Sequence, residues 1–143
     1  MRINTPKLKK VFLLFIFTST VNGCKSDDYQ IFPNVSVYVS LDAAVLARIG
    51  VGSYDEYSGG VKGIVVYQSM PGEYQAYDKL CTNYPSDTAT LVFDKGTNSA
   101  TCPKCGSKFS LPLSGMVTKG PAKYSLRPYR VTYYTSGRLI ISN

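Results

Sequence analysis

The chain has 143 residues, of which 44% are apolar, and it carries a formal net charge of +7 with no histidine and no tryptophan. This length suits one domain with its own hydrophobic core. The positive charge does not indicate nucleic-acid binding, because Lys and Arg form no stripe and the chain contains no RNA-binding motif.

Residues 1–23 are typical of a bacterial lipoprotein signal peptide. Four basic residues and no acidic residue precede the apolar run 11–17, VFLLFIF, which is too short to span a bilayer comfortably. The sequence Val-Asn-Gly-Cys at 21–24 resembles a lipobox, in which a small residue precedes a cysteine that is lipidated on its thiol and becomes the new N-terminus. We therefore expect lipidation of Cys24, with ordinary secretion and a free Cys24 thiol as the alternative.

Residues 24–33 are predicted to form a lipidated tether that holds the protein at a membrane. Lys25 follows Cys24, which resembles signals sorted to an outer membrane, and residues 26–28 resemble the acidic tether of surface-exposed lipoproteins of Bacteroidetes. We expect the outer membrane of the cell envelope as the location, on either the periplasmic or the surface face. Removal of the leader leaves 12 basic against 9 acidic residues, a net charge of +3.

Residues 34–143 are predicted to form one all-β domain, a small antiparallel sandwich or barrel. Apolar and polar residues alternate over 35–40, which is the period of a half-buried strand. Residues 41–48 have the composition of one or two helical turns. Further strands are predicted at 64–69, 74–78, 91–93, 99–101, 109–113, 125–134 and 138–142, and a Pro-Gly turn joins the first two of these.

Three cysteines stand in two predicted loops between these strands. The first loop reads Cys-Thr-Asn at 81–83, and the second reads Cys-Pro-Lys-Cys-Gly-Ser-Lys-Phe at 102–109. The pattern resembles the two ligand loops of a Rieske iron–sulfur domain, which read Cys-x-His and Cys-x-x-His-Gly-Ser-x-Phe. Cys81 and Cys102 fall on the Cys positions, whereas Asn83 falls on the first His position and Cys105 on the second.

The resemblance covers residues 60–141. Gly-Pro-Ala at 120–122 resembles the proline loop that covers the cluster in Rieske proteins, and the last two predicted strands resemble the closing hairpin of that fold. The resemblance implies an all-β Rieske-type fold and one-electron transfer by a [2Fe–2S] cluster held by two Cys and two His. We do not expect oxygenase activity, because that role needs a further domain with His and carboxylate ligands and this chain has no His.

Because neither His is present, the ligand set that the resemblance implies is altered. A [2Fe–2S] cluster or another iron site would use the thiolates of Cys81, Cys102 and Cys105. Asn83 is a poor fourth ligand, since its amide oxygen is neutral and hard. Other candidates for the fourth ligand are Asp78, Tyr84 and Asp87, none of which its spacing singles out. A single zinc ion is the second alternative, because zinc accepts three Cys and one further ligand in a tetrahedron.

The third alternative is a domain without a cofactor. The two loops would then be fixed by a disulfide, which could join Cys81 to Cys102, Cys81 to Cys105, or Cys102 to Cys105. A bond between Cys81 and Cys102 would close a loop of about 20 residues, worth on the order of 3 kcal/mol in the chain-entropy model. Such a bond would take over the structural role of a lost cluster.

Two functions follow from these alternatives. The first is an envelope-anchored lipoprotein whose Rieske-like domain transfers electrons through a metal site with altered ligands, to a redox partner that the sequence does not identify. The second is a cofactor-free binding or structural lipoprotein on the same scaffold. Both describe an electron carrier or a binding module rather than a catalyst, and we assign no catalytic residue.

Overall fold

The computed structural model describes residues 32–83 and 89–143. The predicted signal peptide, Cys24 and most of the predicted tether lie outside the described residues, as do Tyr84 and Asp87. No helix within the described ranges is long and apolar enough to cross a membrane. The last two tether residues contact the domain, because Phe32 is buried under the Arg127 guanidinium and the carbonyl of Pro33 accepts a hydrogen bond from Arg127 at 3.0 Å.

Within these ranges the chain forms ten strands and one short helix. In chain order they are β1 (Tyr38–Leu41), α1 (Ala43–Leu46), β2 (Ser53–Tyr57), β3 (Ile64–Met70), β4 (Glu73–Asp78), β5 (Val92–Asp94), β6 (Ser99–Thr101), β7 (Lys108–Ser110), β8 (Met116–Lys119), β9 (Pro128–Tyr134) and β10 (Arg138–Ser142). The strands build two antiparallel sheets, with orders β1-β10-β9-β4-β3-β2 and β5-β6-β7-β8. The predicted all-β antiparallel fold is confirmed.

The hydrophobic core has two parts, which lie on opposite faces of β3. Because side chains alternate along a strand, Val65 and Tyr67 point into one part and Ile64 and Val66 into the other. The site-side core consists of Tyr54, Val65, Tyr67, Tyr77, Cys81, Leu91, Ala100, Cys102, Phe109, Leu111, Ala122 and Leu126. The far core consists of Val37, Leu41, Leu46, Ile49, Ile64, Val66, Ala76, Tyr129, Leu139 and Ile141. The site-side core therefore joins the four-stranded sheet to the face of β2–β4 and includes Cys81 and Cys102.

Most predicted strands are confirmed, and several bounds are corrected. Strand 138–142 has its predicted bounds, and 64–69, 74–78, 91–93 and 99–101 differ from the observed strands by one residue at most at each end. The first strand begins at Tyr38 rather than 35, the strand predicted at 109–113 ends at Ser110, and the one predicted at 125–134 begins at Pro128. The helix is a single turn, capped by the Asp42 carboxylate. Strands β2 and β8 were not predicted.

Candidate metal centre

Cys81 lies in the segment that follows β4. The Cys81 amide donates a hydrogen bond to the carbonyl of Ala89 at 2.9 Å, and Leu80 forms an antiparallel bridge with Thr90. The preceding Leu80 amide donates to the Asp78 carboxylate at 2.8 Å. The Cys81 side chain is fully buried in the site-side core, so its sulfur is fixed by backbone contacts on both sides and by packing.

Cys102 and Cys105 lie in the tight turn that joins β6 to β7. The Cys102 amide donates to the carbonyl of Ser107 at 2.8 Å, and the Gly106 amide donates back to the carbonyl of Cys102 at 2.9 Å. Gly106 has a φ of +72°, a conformation that glycine adopts without a steric penalty. The turn buries Cys102 completely and leaves Cys105 partly exposed.

The three sulfur atoms converge. The Sγ atoms of Cys81, Cys102 and Cys105 all lie within 4.8 Å of one another, and those of Cys81 and Cys105 are 3.7 Å apart. All three thiols are free, because an S–S bond would bring a pair to about 2.05 Å. The structure thus brings together the three residues that the sequence singled out, in an arrangement that could hold a metal ion.

The protein environment shifts the pKa values of two of the thiols in opposite directions. Burial, followed by the hydrogen bond with Cys102, raises the pKa of Cys81 to about 12. Burial also acts to raise the pKa of Cys105, but hydrogen bonds from the hydroxyl and the backbone of Ser107 outweigh it and lower that pKa. Three thiolates so close together repel one another, so full ionisation requires a cation among them.

The segment 120–122 packs on the turn that carries Cys105. A Cβ atom on Gly120 would lie 2.5 Å from the Ser107 Cα atom, so the two backbones are in direct contact. The Ser107 hydroxyl accepts a hydrogen bond from the Ala122 amide at 3.0 Å and lies 3.0 Å from the Cys105 sulfur. Thr82, next to Cys81, donates a hydrogen bond at 2.6 Å to the carbonyl of Tyr124, two residues after this segment. This covering segment therefore bridges both Cys loops.

Four exposed lysines lie close in sequence to the residues of the site. Lys104 lies between Cys102 and Cys105, and Lys123 follows the covering segment. Lys108 and Lys119 are cross-strand partners in β7 and β8, next in sequence to Ser107 and Gly120. All four side chains are exposed, and residues 95–143 contain no acidic residue. The resulting positive potential favours thiolates and any anionic group that approaches them.

A Rieske-type [2Fe–2S] cluster fits these residues only in part. The two buried cysteines supply the Cys half of the ligand set, but the chain has no His for the other half. The Asn83 backbone contributes a hydrogen bond to the Cys81 sulfur. No acidic side chain of residues 32–83 and 89–143 joins the sulfur group. The Asp78 carboxylate, a candidate fourth ligand, instead accepts hydrogen bonds from the Val61 and Leu80 amides and the Tyr129 hydroxyl.

Sequence reasoning missed the residues that support the thiols. The resemblance included Ser107 and Gly120 as motif positions, but it assigned neither the hydroxyl contact with Cys105 nor the backbone contact between the two loops. The hydrogen bond from Thr82 to Tyr124 carried no sequence signal, because the two residues are 42 positions apart. The Lys108–Lys119 pair was missed because strand β8 was not predicted.

The same fold occurs in solved structures of Rieske proteins. The plasma membrane Rieske protein of the cyanobacterium Synechocystis PCC 6803 superposes with a TM-score of 0.53 and 21% identity, over 75% of this chain and 98% of that chain. A chain from the complex of reduced oxygenase and oxidized ferredoxin in carbazole 1,9a-dioxygenase gives a TM-score of 0.51 and 19% identity, over 74% and 93%. At these identities the likeness shows the fold.

A larger protein contains the same unit. A quaternary ammonium Rieske monooxygenase superposes with a TM-score of 0.53 and 17% identity, over 80% of this chain but only 32% of that chain. The sequence of this chain matches no protein-family model and no curated protein. The strand order and these superpositions together show that the chain has a Rieske-type fold.

Proposed function

We propose that the protein is a lipoprotein, anchored to the bacterial outer membrane through Cys24, whose Rieske-like domain transfers single electrons at a thiolate-held metal centre. The observation that carries this proposal is the convergence of the Cys81, Cys102 and Cys105 sulfurs within 4.8 Å. Two of these thiols are buried in the core. Buried free thiols held together by backbone contacts from two separate loops are typical of a metal site.

Iron bound by thiolates supplies a one-electron couple without rearrangement of the protein. The chain's own residues provide the environment for that couple. Once the thiols are ionised, the Ser107 hydroxyl would donate a hydrogen bond to the Cys105 thiolate and the Asn83 backbone amide would donate one to the Cys81 thiolate, which stabilises both charges. An altered-ligand [2Fe–2S] cluster and a single metal ion are the two forms that this centre can take.

The exposed lysines around the site indicate the kind of redox partner. A positive rim steers an acidic protein surface towards the partly exposed Cys105 and speeds the encounter. One electron enters from a reduced donor and leaves to an oxidised acceptor, with no bond made or broken in the chain. We therefore propose an acidic electron-transfer protein as the partner.

The distance between the Cys81 and Cys105 sulfurs favours a second function. The Cys81 and Cys105 sulfurs are 3.7 Å apart, so a small movement of the partly exposed Cys105 would bring them to bonding distance. An oxidant in the envelope, such as a disulfide-exchange protein, would accept the two electrons and two protons of the thiols. The domain would then be a cofactor-free, disulfide-braced binding or structural module.

The deciding experiment is anaerobic purification of the full chain from the envelope fraction of a bacterial host. Metal analysis, a visible spectrum and a reductive titration are then made on the same sample. Electron transfer predicts iron, charge-transfer absorption and the uptake of one electron per centre. Zinc alone contradicts electron transfer, and a metal-free protein with one titratable thiol among the three supports the braced module instead.

The membrane anchor is tested separately. Incorporation of a labelled fatty acid is measured in the wild-type chain and in Cys24→Ser. We expect the substitution to abolish labelling and to release the protein from the membrane fraction, while the metal content of the domain stays unchanged. Equal labelling of both chains, or loss of metal in Cys24→Ser, would contradict the assignment of Cys24 as the anchor.

A further inference from the structure

We infer that Cys81, Cys102 and Cys105 bind one metal ion together, rather than dividing their thiolates between the two irons of a cluster. This inference rests on the proposed function, since it requires that the thiols bind metal. It concerns the number of metal atoms, which the fold does not fix. The domain would then use a Rieske-like scaffold for a mononuclear thiolate centre.

The sulfur separations match the ligands of a single ion. With metal–sulfur bonds of about 2.3 Å in a tetrahedron, two thiolate sulfurs on one ion lie about 3.8 Å apart. The separation between Cys81 and Cys105 is 3.7 Å, and Cys102 lies within 4.8 Å of both. A metal ion can therefore contact all three sulfurs after small side-chain adjustments.

The position of Cys105 argues against the two-iron form. In a Rieske centre the two Cys bind one iron and the two His bind the other. Ligands on different irons are separated by the iron–iron distance in addition to their own bonds. Cys105 stands at the second His position, yet its sulfur is 3.7 Å from that of Cys81. Its thiol has thus joined the two buried cysteines instead of facing them across a cluster.

The exposure of Cys105 leaves one side of the centre open. Cys81 and Cys102 are fully buried, whereas Cys105 is partly exposed and Gly106 next to it has open space around its Cα. A solvent molecule on this side would complete a tetrahedron of three thiolates and one oxygen, an arrangement that both zinc and iron accept. The three-thiolate donor set selects a thiophilic divalent ion over magnesium or calcium.

The test measures metal and acid-labile sulfide on the full chain, purified anaerobically. A single-ion centre predicts one metal per chain and no labile sulfide, whichever metal is found. Two irons with two sulfides per chain would overturn this inference while leaving metal-dependent electron transfer intact. One zinc per chain would support the single-ion centre and contradict electron transfer. A metal-free chain that takes up no added ion would overturn both.

Cobalt(II) provides an independent measurement on the metal-free, reduced chain. We expect one Co(II) per chain, with d–d bands of a four-coordinate ion and a thiolate charge-transfer band whose intensity follows the number of sulfur ligands. In Cys105→Ser that band should fall by about one third or more, because one of three thiolates is lost. Cys24→Ser is the matched control and should give the wild-type band. An unchanged band in Cys105→Ser would exclude Cys105 as a ligand.

Discussion

The Tyr129 hydroxyl donates a hydrogen bond to the buried carboxylate of Asp78, with 2.5 Å between the two oxygens. The same carboxylate accepts the Val61 amide at 2.6 Å and the Leu80 amide at 2.8 Å. Asp78 ends β4 and Tyr129 lies at the start of β9, so one side chain ties together two strands, the loop before β3 and the residue before Cys81. Burial, followed by this hydrogen bond, raises the pKa of Tyr129 and keeps its hydroxyl a donor.

Replacement of Asp78 by Asn should destabilise the fold and weaken the site. The amide group would place N–H donors opposite donors that now face a carboxylate, so we expect a loss of about 2–3 kcal/mol in the free energy of unfolding. Tyr129→Phe removes one bond only and should cost less. Urea unfolding measures both, with the exposed Glu73→Gln as the control. A wild-type midpoint for Asp78→Asn would refute the role given to this carboxylate.

Gly120→Ala should separate the covering segment from the Cys105 turn. The new Cβ would lie 2.5 Å from the Ser107 Cα atom, and the φ of +100° disfavours any side chain. A positive φ alone costs about 1–2 kcal/mol for an L-residue. We therefore expect a larger total loss in the free energy of unfolding, together with reduced metal content. Gly50→Ala is the matched control, since Gly50 has open space and no positive φ. Equal melting temperatures of the two variants would show that the contact is unimportant.

Ser107→Ala tests the hydroxyl that lies between Cys105 and Ala122. The substitution removes the hydrogen-bond partner of the Cys105 sulfur and leaves the buried Ala122 amide without its acceptor. We expect a stability loss of about 1–3 kcal/mol and a metal affinity weakened by about 10–100-fold. Competition with a chromophoric chelator measures the affinity, and the exposed Ser136→Ala serves as the control. Unchanged affinity in Ser107→Ala would assign the hydroxyl a purely structural role.

The sequence predicts the buried strands of this fold well but misses two of the exposed edge strands. Strands β3, β4 and β10 were predicted because each contains apolar residues in a segment bounded by a recognisable turn. Strands β2 and β8 lie at sheet edges and bury almost no side chains, with Tyr54 the one fully buried residue in β2. Edge strands of this kind lack a two-residue hydrophobic period, so neither was predicted.

The candidate site was predicted in part for a similar reason. Loop spacing identified Cys81, Cys102 and Cys105, because ligand residues in Rieske domains occupy fixed positions within short motifs. Spacing could not give the distance between Cys81 and Cys105, which are 24 residues apart and meet only through the packing of two sheets. That distance is what distinguishes a disulfide, a single ion and a cluster.

Stability should fall with rising pH above the ordinary tyrosine pKa. Burial raises the pKa of Tyr77 from 10.0 to about 12. Below pH 10 the folded and unfolded chains both keep this proton, and the full stability is present. Between pH 10 and 12 the unfolded chain loses the proton and the folded chain retains it, so stability decreases as pH rises. We expect Tyr77→Phe to reduce this decrease by on the order of 1 kcal/mol.

Urea unfolding at several pH values within this window measures the effect. Tyr134→Phe changes an exposed residue and should leave the pH dependence as in the wild type. Buried Tyr129 and half-buried Tyr57 have raised pKa values as well, so part of the dependence should remain in Tyr77→Phe. Identical slopes in all three proteins would contradict the assignment.

The Lys108–Lys119 pair offers a test that separates function from stability. Two like charges stand opposite each other in β7 and β8, which is unfavourable for the sheet. Lys119→Glu should therefore stabilise the fold by about 0.2–1 kcal/mol. The same substitution should slow oxidation of the reduced protein by anionic hexacyanoferrate and speed oxidation by a cationic cobalt(III) complex, with both effects shrinking at high salt.

Stopped-flow kinetics measures the two oxidation rates, and thermal unfolding measures the stability. The control is Arg138→Glu, which makes the same charge change in β10 of the other sheet. If Lys119→Glu and Arg138→Glu shift the two rates equally, only net charge matters, and the lysine rim has no part in recognising an acidic partner.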